Sequence, residues 1–326
     1  MDWRATQIAI NTAKTSFQTH LEAALNLVLV PGPLLLQTTT NLNDHLAGES
    51  YKAVSFWAEA LEESLEIVQS LAKWKRYALG KYQYPVHSGI YVDMKAIRAH
   101  ETLDQLHSLF VDQWDWELII LPEERTLDYL KTTVNKIYAA ICKTQLQLQQ
   151  RWSHLKARLP EALTFFTAQE LEDAYPNDTF ETITNQVVRT HGAVFIMQIG
   201  HPLRSGRVFD TRSAEYDDWT LNGDLFFWSE TIQQAVEISS MGIRVDAAAL
   251  VSQAQLNQMP KPNQQSDNPY FSAVLNNALP ITIGGGIGQA RLLMFLLEKQ
   301  HIGEVQVAPW DDKTTAWAQK HQVKLL

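Results

Sequence analysis

The stretch Ile281-Thr-Ile283, followed by Gly284-Gly-Gly-Ile-Gly288 and then Gln-Ala-Arg291, joins a short apolar strand to a glycine run and the start of a helix. Glycines allow a backbone to approach a ligand closely, although a simple tight turn explains the same run equally well. Arg291 comes three residues after Gly288, where its side chain can reach back toward the end of the strand. The stretch therefore indicates a junction of strand and helix at which an anion can bind, with a solvated arginine as the alternative.

A second stretch, Glu237-Ile-Ser-Ser-Met-Gly-Ile-Arg-Val-Asp246, places a carboxylate and a guanidinium seven residues apart on a predicted strand. A regular strand alternates its faces, which puts Glu237, Ser239 and Met241 on one face and Ile238, Ser240 and Gly242 on the other. Asp246 is the expected N-cap of a helix that runs to Gln258.

Asp224 begins another predicted strand, Asp224 to Trp228, which precedes this one. Two carboxylates from neighbouring strands, Asp224 and Glu237, can hold Mg²⁺, which prefers oxygen ligands and usually bridges phosphates. A pair of solvated surface carboxylates is the ordinary alternative.

Two further segments alternate like strands, and the polar loop between them predicts a long antiparallel hairpin. The first runs from Ile90 to Ile97 and the second from Leu109 to Glu117. On the second strand the period of two separates Trp114 and Trp116 from Gln113 and Asp115. We interpret the tryptophans as core, and the acid on the opposite face as the better functional clue.

The remaining pattern is one of helices interleaved with antiparallel strands, which favours an α+β fold and argues against a doubly wound parallel sheet. Amphipathic helices are expected from Thr6 to Asn26 and after Leu127, and a basic helix from Ser70 is expected to end at Gly80. The chain has no P-loop and no histidine pattern typical of a metalloprotease. We expect one catalytic domain over residues 1–326.

Composition restricts the function classes further. The chain of 326 residues carries a formal net charge of −9, which argues against nonspecific binding to nucleic acid or to a membrane surface. The single cysteine, Cys142, cannot form an internal disulfide, which fits a reducing cytoplasm. The longest apolar stretch, from Leu25 to Leu36, is too short and too interrupted for a membrane helix.

Seven motifs in order make the chain resemble the ammonia-dependent asparagine synthetases, also called aspartate–ammonia ligases. That family is similar to the catalytic domain of the class II aspartyl-tRNA synthetases. The motifs are Ser70-Leu-Ala-Lys-Trp-Lys-Arg76, Met94-Lys-Ala-Ile-Arg98, Val111-Asp-Gln-Trp-Asp-Trp-Glu117, Tyr216-Asp-Asp-Trp219, Leu221-Asn-Gly-Asp224, the stretch from Glu237 to Asp246, and Ile283 to Leu292.

The resemblance implies a class II synthetase-like antiparallel sheet flanked by helices, without an anticodon-binding domain and without tRNA as a partner. It also implies a homodimer, with Val30-Pro-Gly-Pro-Leu34 resembling the dimer-forming first motif. The implied reaction converts aspartate, ATP and ammonia to asparagine, AMP and pyrophosphate through a β-aspartyl adenylate.

Residue roles follow from the same resemblance. Arg98 is expected at the α-phosphate and the attacking carboxylate, and Arg291 at the far phosphates or the adenine. Asp224 and Glu237 are expected to carry Mg²⁺, with Asp217 nearby on ATP. Aspartate is expected to be bound by the side chains or backbone of Asp44, Lys75, Gln113, Asp115, Ser240, Arg244 and Gly286. Arg98, Lys75 and Asp44 are the expected catalytic residues, with Asp44 facing the ammonium of aspartate or the incoming ammonia.

Three positions depart from the family pattern: Gln69, His45 and the turn Gly200-His-Pro-Leu203. We expect these differences to affect the geometry of the loops and the handling of ammonia more than the adenylation step. Two alternatives remain open from the sequence. One is a synthetase paralogue that adenylates an amino acid for another acceptor, and the other is a nucleotide-sensing module without turnover.

Overall fold

A computed structural model of the chain describes residues 2–44, 46, 52–156, 158–259, 262 and 268–326. Its α-helices are α1 (Trp3–Leu25), α2 (Ala72–Lys81), α3 (Leu127–Arg151), α4 (Ala168–Ala174), α5 (Phe180–His191), α6 (Ala247–Leu256), α7 (Pro269–Leu275), α8 (Gln289–Leu296) and α9 (Asp312–Lys320). Its strands are β1 (Leu27–Leu29), β2 (Leu35–Gln37), β3 (Ser55–Ala58), β4 (Glu63–Ile67), β5 (Gly89–Ile97), β6 (Phe110–Ile119), β7 (Thr164–Thr167), β8 (Ala193–Met197), β9 (Asp217–Ser229), β10 (Gln234–Arg244) and β11 (Thr282–Gly288).

The architecture is built on an eight-stranded sheet with the order β1-β5-β6-β11-β10-β9-β8-β7. All pairs from β5 to β8 are antiparallel, and only the outermost pairs, β1 with β5 and β7 with β8, are parallel. The predicted α+β class and the predicted hairpin of β5 and β6 are therefore confirmed. A separate small sheet has the order β2-β4-β3.

The core lies between the main sheet and the long helices α1 and α3. Trp114 and Trp116 of β6 have no exposed surface, and the Phe17 ring of α1 packs against Trp114 at a centroid distance of 4.7 Å. Gln113 and Asp115 lie on the opposite face of the strand because successive side chains alternate. The period-two interpretation of this segment is confirmed, and the polar face of β6 is left free for a site.

Helix α2 differs from its prediction at its end. It continues to Lys81 with Tyr82 as its C-cap, so Gly80 lies inside the helix and does not close it. A Cβ at Gly80 would stand 3.0 Å from Pro280 Cδ, which shows that the glycine permits close packing. The basic residues Lys73, Lys75 and Arg76 are buried, and so do not form a solvated helix face.

Other expectations hold with small changes in length. Asp246 caps α6 by accepting a hydrogen bond of 2.8 Å from the backbone N–H of Ala249. The strand predicted from Asp224 to Trp228 begins earlier, at Asp217. His45, one of the positions that depart from the family pattern, lies outside the described residues. In the part of the chain that is described, no helix is long and apolar enough to cross a membrane.

Candidate functional site

A cavity of about 710 Å³ opens on the polar face of the main sheet, over β6, β11 and β10. Nine of the twelve predicted site residues line it: Arg98, Gln113, Asp115, Asp217, Glu237, Ser240, Arg244, Gly286 and Arg291. The other three, Asp44, Lys75 and Asp224, are buried and contact residues of the lining. Residues as far apart in sequence as Asp44 and Arg291 therefore meet at one site.

The glycine run is the central floor of this cavity and is not a turn. Gly284 to Gly288 belong to β11, which pairs with β6 on one side and β10 on the other. A Cβ at Gly284 would stand 2.6 Å from Arg244 Nη2 and from Glu117 Cδ, and closer still to Glu117 Oε2. A Cβ at Gly286 would collide in the same way with the Gln113 amide. The absent side chains make room for neighbouring polar groups of the site.

Arg244 lies at the bottom of one end of the cavity between two carboxylates. Its Nη2 and Nε donate to Glu117 at 2.7 Å and 2.9 Å, and its Nη1 donates to Asp217. Burial tends to raise the pKa of Glu117, but the charge and hydrogen bonds of Arg244 lower it on balance. Since all three groups are buried, the guanidinium is held in one orientation.

Lys75 and Asp115 form a second buried pair beside Glu117. The ammonium of Lys75 donates to the Asp115 carboxylate and to the carbonyl of Trp116 at 2.8 Å, and it lies 3.7 Å from Glu117. Burial raises the pKa of the Asp115 carboxyl, and the Lys75 charge opposes this effect. Lys75 therefore lies behind Asp115, and Asp115 faces the cavity.

Asp44 organises the beginning of α2. Its carboxylate accepts from the backbone N–H groups of Ala72 at 2.6 Å and Lys73 at 3.0 Å, and from the Ser70 hydroxyl. A carboxylate in this position satisfies the free N–H groups at a helix N-terminus. The position of Ser70, which lines the cavity, is thereby linked to Asp44.

The faces predicted for β10 are wrong, and a bulge is the reason. The register of β10 with β9 shifts between Glu237 and Ser239, so that one extra residue enters β10. Glu237 and Ser240 then both line the cavity, whereas regular alternation would place them on opposite faces. The Ser240 hydroxyl donates to Asp224 of β9, which brings the two predicted magnesium ligands to one end of the site.

Arg212 is the main functional residue that the sequence analysis missed. It lies in the segment before β9, lines the cavity, and donates to Ser240 Oγ at 2.9 Å and to Asp217 at 3.4 Å. Its Nη1 lies 3.8 Å from Asp224. Burial acts to lower the pKa of Arg212, but the surrounding carboxylates raise it. Only its position just before Tyr216-Asp-Asp-Trp219 could have drawn attention to it.

The other cations of this end are Arg98 and Arg291. Burial and the charge of Arg291 both lower the pKa of Arg98, and the buried Arg98 Nε has no hydrogen-bond partner among the described residues. Arg291 lies 3.5 Å from the Glu237 carboxylate, and its Nε donates to the Leu106 carbonyl at 3.2 Å. Two neighbouring guanidiniums are suited to hold an anion between them, because its negative charge offsets their repulsion.

The acidic groups of this end are Asp210, Asp224 and Glu237. Burial raises the pKa of Asp224 well above its usual range, Arg212 opposes this effect, and the charges of Glu237 and Asp210 add to it. No three histidine, cysteine, aspartate or glutamate side chains among the described residues are arranged to hold a metal ion by themselves. The donor set of Asp224 and Glu237 nevertheless fits Mg²⁺, which is commonly held by one or two carboxylates together with substrate phosphates.

The chain is similar in sequence to one family of known proteins, and its fold is similar to that of solved structures. The family model described as aspartate-ammonia ligase matches residues 4–322. The chain is 48% identical over 321 residues to the aspartate–ammonia ligase of Ureaplasma parvum serovar 3, covering 98% of this chain and 97% of that protein. It is 45% identical over 327 residues to that of Bacillus cereus strain G9842, covering 100% and 98%.

Solved structures with the same fold are class II synthetases. An asparaginyl-tRNA synthetase from Pyrococcus horikoshii, complexed with asparaginyl-adenylate, matches with a TM-score of 0.67 at 14% identity, covering 94% of this chain and 70% of that chain. An asparaginyl-tRNA synthetase from Entamoeba histolytica, also with asparaginyl-adenylate, has a TM-score of 0.65 at 15% identity, covering 94% and 68%. At this identity the likeness concerns the fold alone.

Proposed function

Because the chain belongs to the aspartate–ammonia ligase family, we propose that its cavity binds aspartate at the Arg244 end and ATP at the Arg98 and Arg291 end. The protein is a ligase that makes asparagine from aspartate and ammonia at the expense of ATP. The assignment of the two ends rests on the buried Nε of Arg98, which has no hydrogen-bond partner among the described residues and lies beside a second arginine in the cavity.

The aspartate end offers groups that match each charge of the substrate. Arg244, held by Glu117 and Asp217, presents a guanidinium for the α-carboxylate. Asp115 presents a carboxylate for the α-ammonium, and Gln113 lies on the same strand face toward the phosphate end. We assign Lys75 and Asp44 positioning roles, since one holds Asp115 and the other holds the start of α2.

At the phosphate end, the reaction requires two anions to approach each other. We propose that Arg98 lies between the side-chain carboxylate of aspartate and the α-phosphate, while Arg291 contacts the outer phosphates or stacks on the base. Arg212 adds a third guanidinium at the junction of the two ends, where it is fixed by Ser240 and Asp217. Phosphoryl transfer is mostly positioning and electrostatic stabilisation, so these fixed cations supply what the step needs.

Asp224 and Glu237 would hold Mg²⁺ together with the phosphates. The ion would neutralise charge that the pyrophosphate develops as it leaves. Burial raises the pKa of Asp224, and the charges of Glu237 and Asp210 add to this effect; a cation at this place would stabilise the charged carboxylates. Asp217 is not part of this pair, because it is already held by Arg244 and Arg212.

The chemistry then has two steps. A side-chain carboxylate oxygen of aspartate attacks the α-phosphorus, forming the O–P bond of β-aspartyl adenylate as the bond to pyrophosphate breaks. Ammonia next attacks the acyl carbon, AMP leaves with the C–O electron pair, and the new amide nitrogen loses one proton. The sum is asparagine, AMP and pyrophosphate from aspartate, ATP and ammonia.

An assay of both products tests the proposal. With Mg·ATP, aspartate and ammonium, AMP and asparagine should form in equal amounts, and aspartate alone should support exchange of labelled pyrophosphate into ATP. AMP without asparagine would assign the chain to an adenylating paralogue with another acceptor. No AMP with any amino acid would indicate a nucleotide sensor.

We also propose that the chain acts as a single catalytic domain in the cytoplasm, without tRNA or other nucleic acid as a partner. A homodimer would use the edge strand β1, where Val28 and Leu29 are about half exposed. The segment from Val30 to Leu34 follows this edge directly. Light scattering should give a mass twice the 37.1 kDa of one chain, and Val28→Lys should shift it toward the monomer.

A further inference from the structure

A buried glutamine of α6 holds the chain at the point where it enters β9. The side-chain Oε1 of Gln253 accepts a hydrogen bond of 2.8 Å from the backbone N–H of Trp219. Its Nε2 donates to the backbone carbonyls of Asp217 at 2.9 Å and Ala214 at 3.3 Å. Gln253 is 4% exposed and is not among the described residues that line the cavity. One side chain behind the cavity wall therefore holds three backbone groups of a single short segment, residues 214–219.

The segment held by Gln253 forms part of the cavity wall. Tyr216 and Asp217 line the cavity, and so does Arg212, just before them in the chain. The Asp217 carboxylate accepts from Nη1 of Arg244 and, at 3.4 Å, from Nη2 of Arg212. A shift in the backbone of Asp217 would therefore change the direction of Arg244, the guanidinium proposed for the α-carboxylate of aspartate.

Helix α6 also connects Gln253 to Arg244 through the chain itself. Strand β10 ends at Arg244, and α6 begins three residues later, at Ala247. A hydrogen-bonded helix is a stiff spacer, so it fixes the separation of Arg244 and Gln253. The hydrogen bonds from Gln253 to Asp217 and from Arg244 to Asp217 then close a loop between the two ends of this spacer.

The three backbone groups explain why an amide is needed at this position. An N–H group requires an acceptor and two carbonyls require donors, which an amide supplies in one orientation. The groups belong to buried residues, where unpaired backbone groups are costly. A methionine at position 253 fills similar space but pairs with none of them. A glutamate keeps the acceptor for Trp219 but places negative charge beside two carbonyl oxygens. With either side chain the segment must shift, and Asp217 moves with it.

We propose that Gln253 is a positioning residue for aspartate: it fixes Asp217 and, through Asp217, the guanidinium of Arg244. The inference rests on the proposed binding of aspartate by Arg244. It concerns a residue outside the seven sequence motifs. Loss of Gln253 should affect aspartate more than ATP, because Arg212 keeps a second and shorter hydrogen bond, 2.9 Å, to Ser240.

The test compares Gln253→Met and Gln253→Glu with the wild type in assays of AMP and asparagine and in thermal melts. KM for aspartate, at saturating ATP and ammonium, should rise roughly 10- to 100-fold, since a misplacement on the order of 1 Å can cost about 100-fold. KM for ATP and kcat should stay within roughly threefold of the wild type, as expected when binding of one substrate is weakened. A merely structural role would lower the melting temperature without separating the two substrates.

Gln145→Met is the matched control. Gln145 is a buried glutamine of α3 whose Oε1 accepts from the backbone N–H of Leu159 at 3.2 Å, and it is not among the described residues of the cavity lining. Its loss should lower the melting temperature and leave KM for aspartate unchanged. A double-mutant cycle with Asp217→Asn tests the connection, because two changes that act through the same carboxylate should not multiply their effects on KM.

If Gln253→Met does not fold, Gln253→Glu, which is nearly the shape of the native side chain, decides the question. An unchanged KM for aspartate in the folded variants, an equal rise in KM for ATP, or the same rise in Gln145→Met overturns the inference. Multiplicative effects in the cycle overturn it as well. A wild-type protein that forms no AMP refutes the proposed function, and this inference falls with it. Turnover by the wild type together with unchanged KM in the variants refutes this inference alone.

Discussion

Substituting Gly284 with alanine should damage both the stability of the fold and the binding of aspartate. The backbone at Gly284 is ordinary extended strand, so alanine introduces no conformational strain there. Its Cβ would stand 2.6 Å from both Arg244 Nη2 and Glu117 Cδ, where 3.4 Å is an ordinary contact. Arg244 Nη2 and Glu117 Cδ must therefore each move by about 0.8 Å and Glu117 Oε2 by more, and both side chains are buried in a close-packed interior.

The cost follows from what this movement disrupts. Glu117 and Arg244 form a buried ion pair with hydrogen bonds of 2.7 Å and 2.9 Å. Breaking a buried pair costs about 3–5 kcal/mol, and partial displacement should cost roughly 2–3 kcal/mol. An unfolding entropy of about 2.1 cal/mol/K per residue, over 326 residues, makes this a fall in melting temperature of roughly 3–5 °C. A displaced guanidinium should also raise KM for aspartate roughly tenfold or more.

Thermal melts and steady-state kinetics on the purified variant measure both effects. Gly288→Ala is the matched control on the same strand, because its Cβ would meet no atom closer than 3.6 Å. The control should melt within about 1 °C of the wild type, since strain-free surface changes cost under about 0.5 kcal/mol. A Gly284→Ala protein with unchanged melting temperature and unchanged KM for aspartate would refute the proposed fit of β11 against the ion pair.

Three further outcomes follow from the same geometry. In Gly286→Ala the three atoms nearest to the added Cβ all belong to the Gln113 amide, so kcat/KM should fall roughly tenfold with little change in melting temperature; equal losses of both would contradict this. Arg98→Ala should lower AMP formation by roughly 10²- to 10³-fold without unfolding, while removal of the exposed Arg204 should leave it unchanged in the same HPLC assay; retained turnover would contradict the role of Arg98. Arg244 lowers the pKa of the Glu117 carboxyl on balance, so its stabilisation is present above its ordinary pKa of about 4.3 and is lost as pH falls through the folded value. Urea titrations from pH 6 to 3 should therefore show a smaller loss of stability for Glu117→Gln than for the wild type, and parallel curves would contradict the pairing.

The alternation of apolar and polar residues was enough to predict β6, the strand that carries Gln113 and Asp115 of the site. On β6, two tryptophans and two polar residues alternate without interruption, and the strand pairs in one register along its whole length. The prediction failed on β10, where the same reasoning separated Glu237 from Ser240. A bulge is a property of two paired strands, and the sequence of one strand does not contain it. The resemblance to a family still brought Glu237 and Ser240 into one site where periodicity did not.

The burial of the basic side chains of α2 was a second property that the sequence did not reveal. Lys73, Lys75 and Arg76 have the composition of a solvated helix face, yet all three are covered because α2 packs against β6 and β11. Their charges are acceptable inside the protein only because Glu215, Asp115 and backbone carbonyls lie opposite them. Those partners are between 40 and 204 residues away in the sequence, so only the assembled fold shows that these cations are buried.

The arrangement of charge differs between the two ends of the cavity, and the difference matches the two kinds of ligand. Arg244 is bound by two buried carboxylates, so its direction is set before any substrate arrives, as selection of one small amino acid requires. Arg98 and Arg291 lie next to each other, and burial together with the charge of Arg291 lowers the pKa of Arg98, while Glu101 and Glu237 oppose this effect. The negative charge of a triphosphate would relieve the repulsion between these two guanidiniums. The glycines of β11 lie where the two ends meet, because only a backbone without side chains leaves room for both sets of charged groups on neighbouring strands.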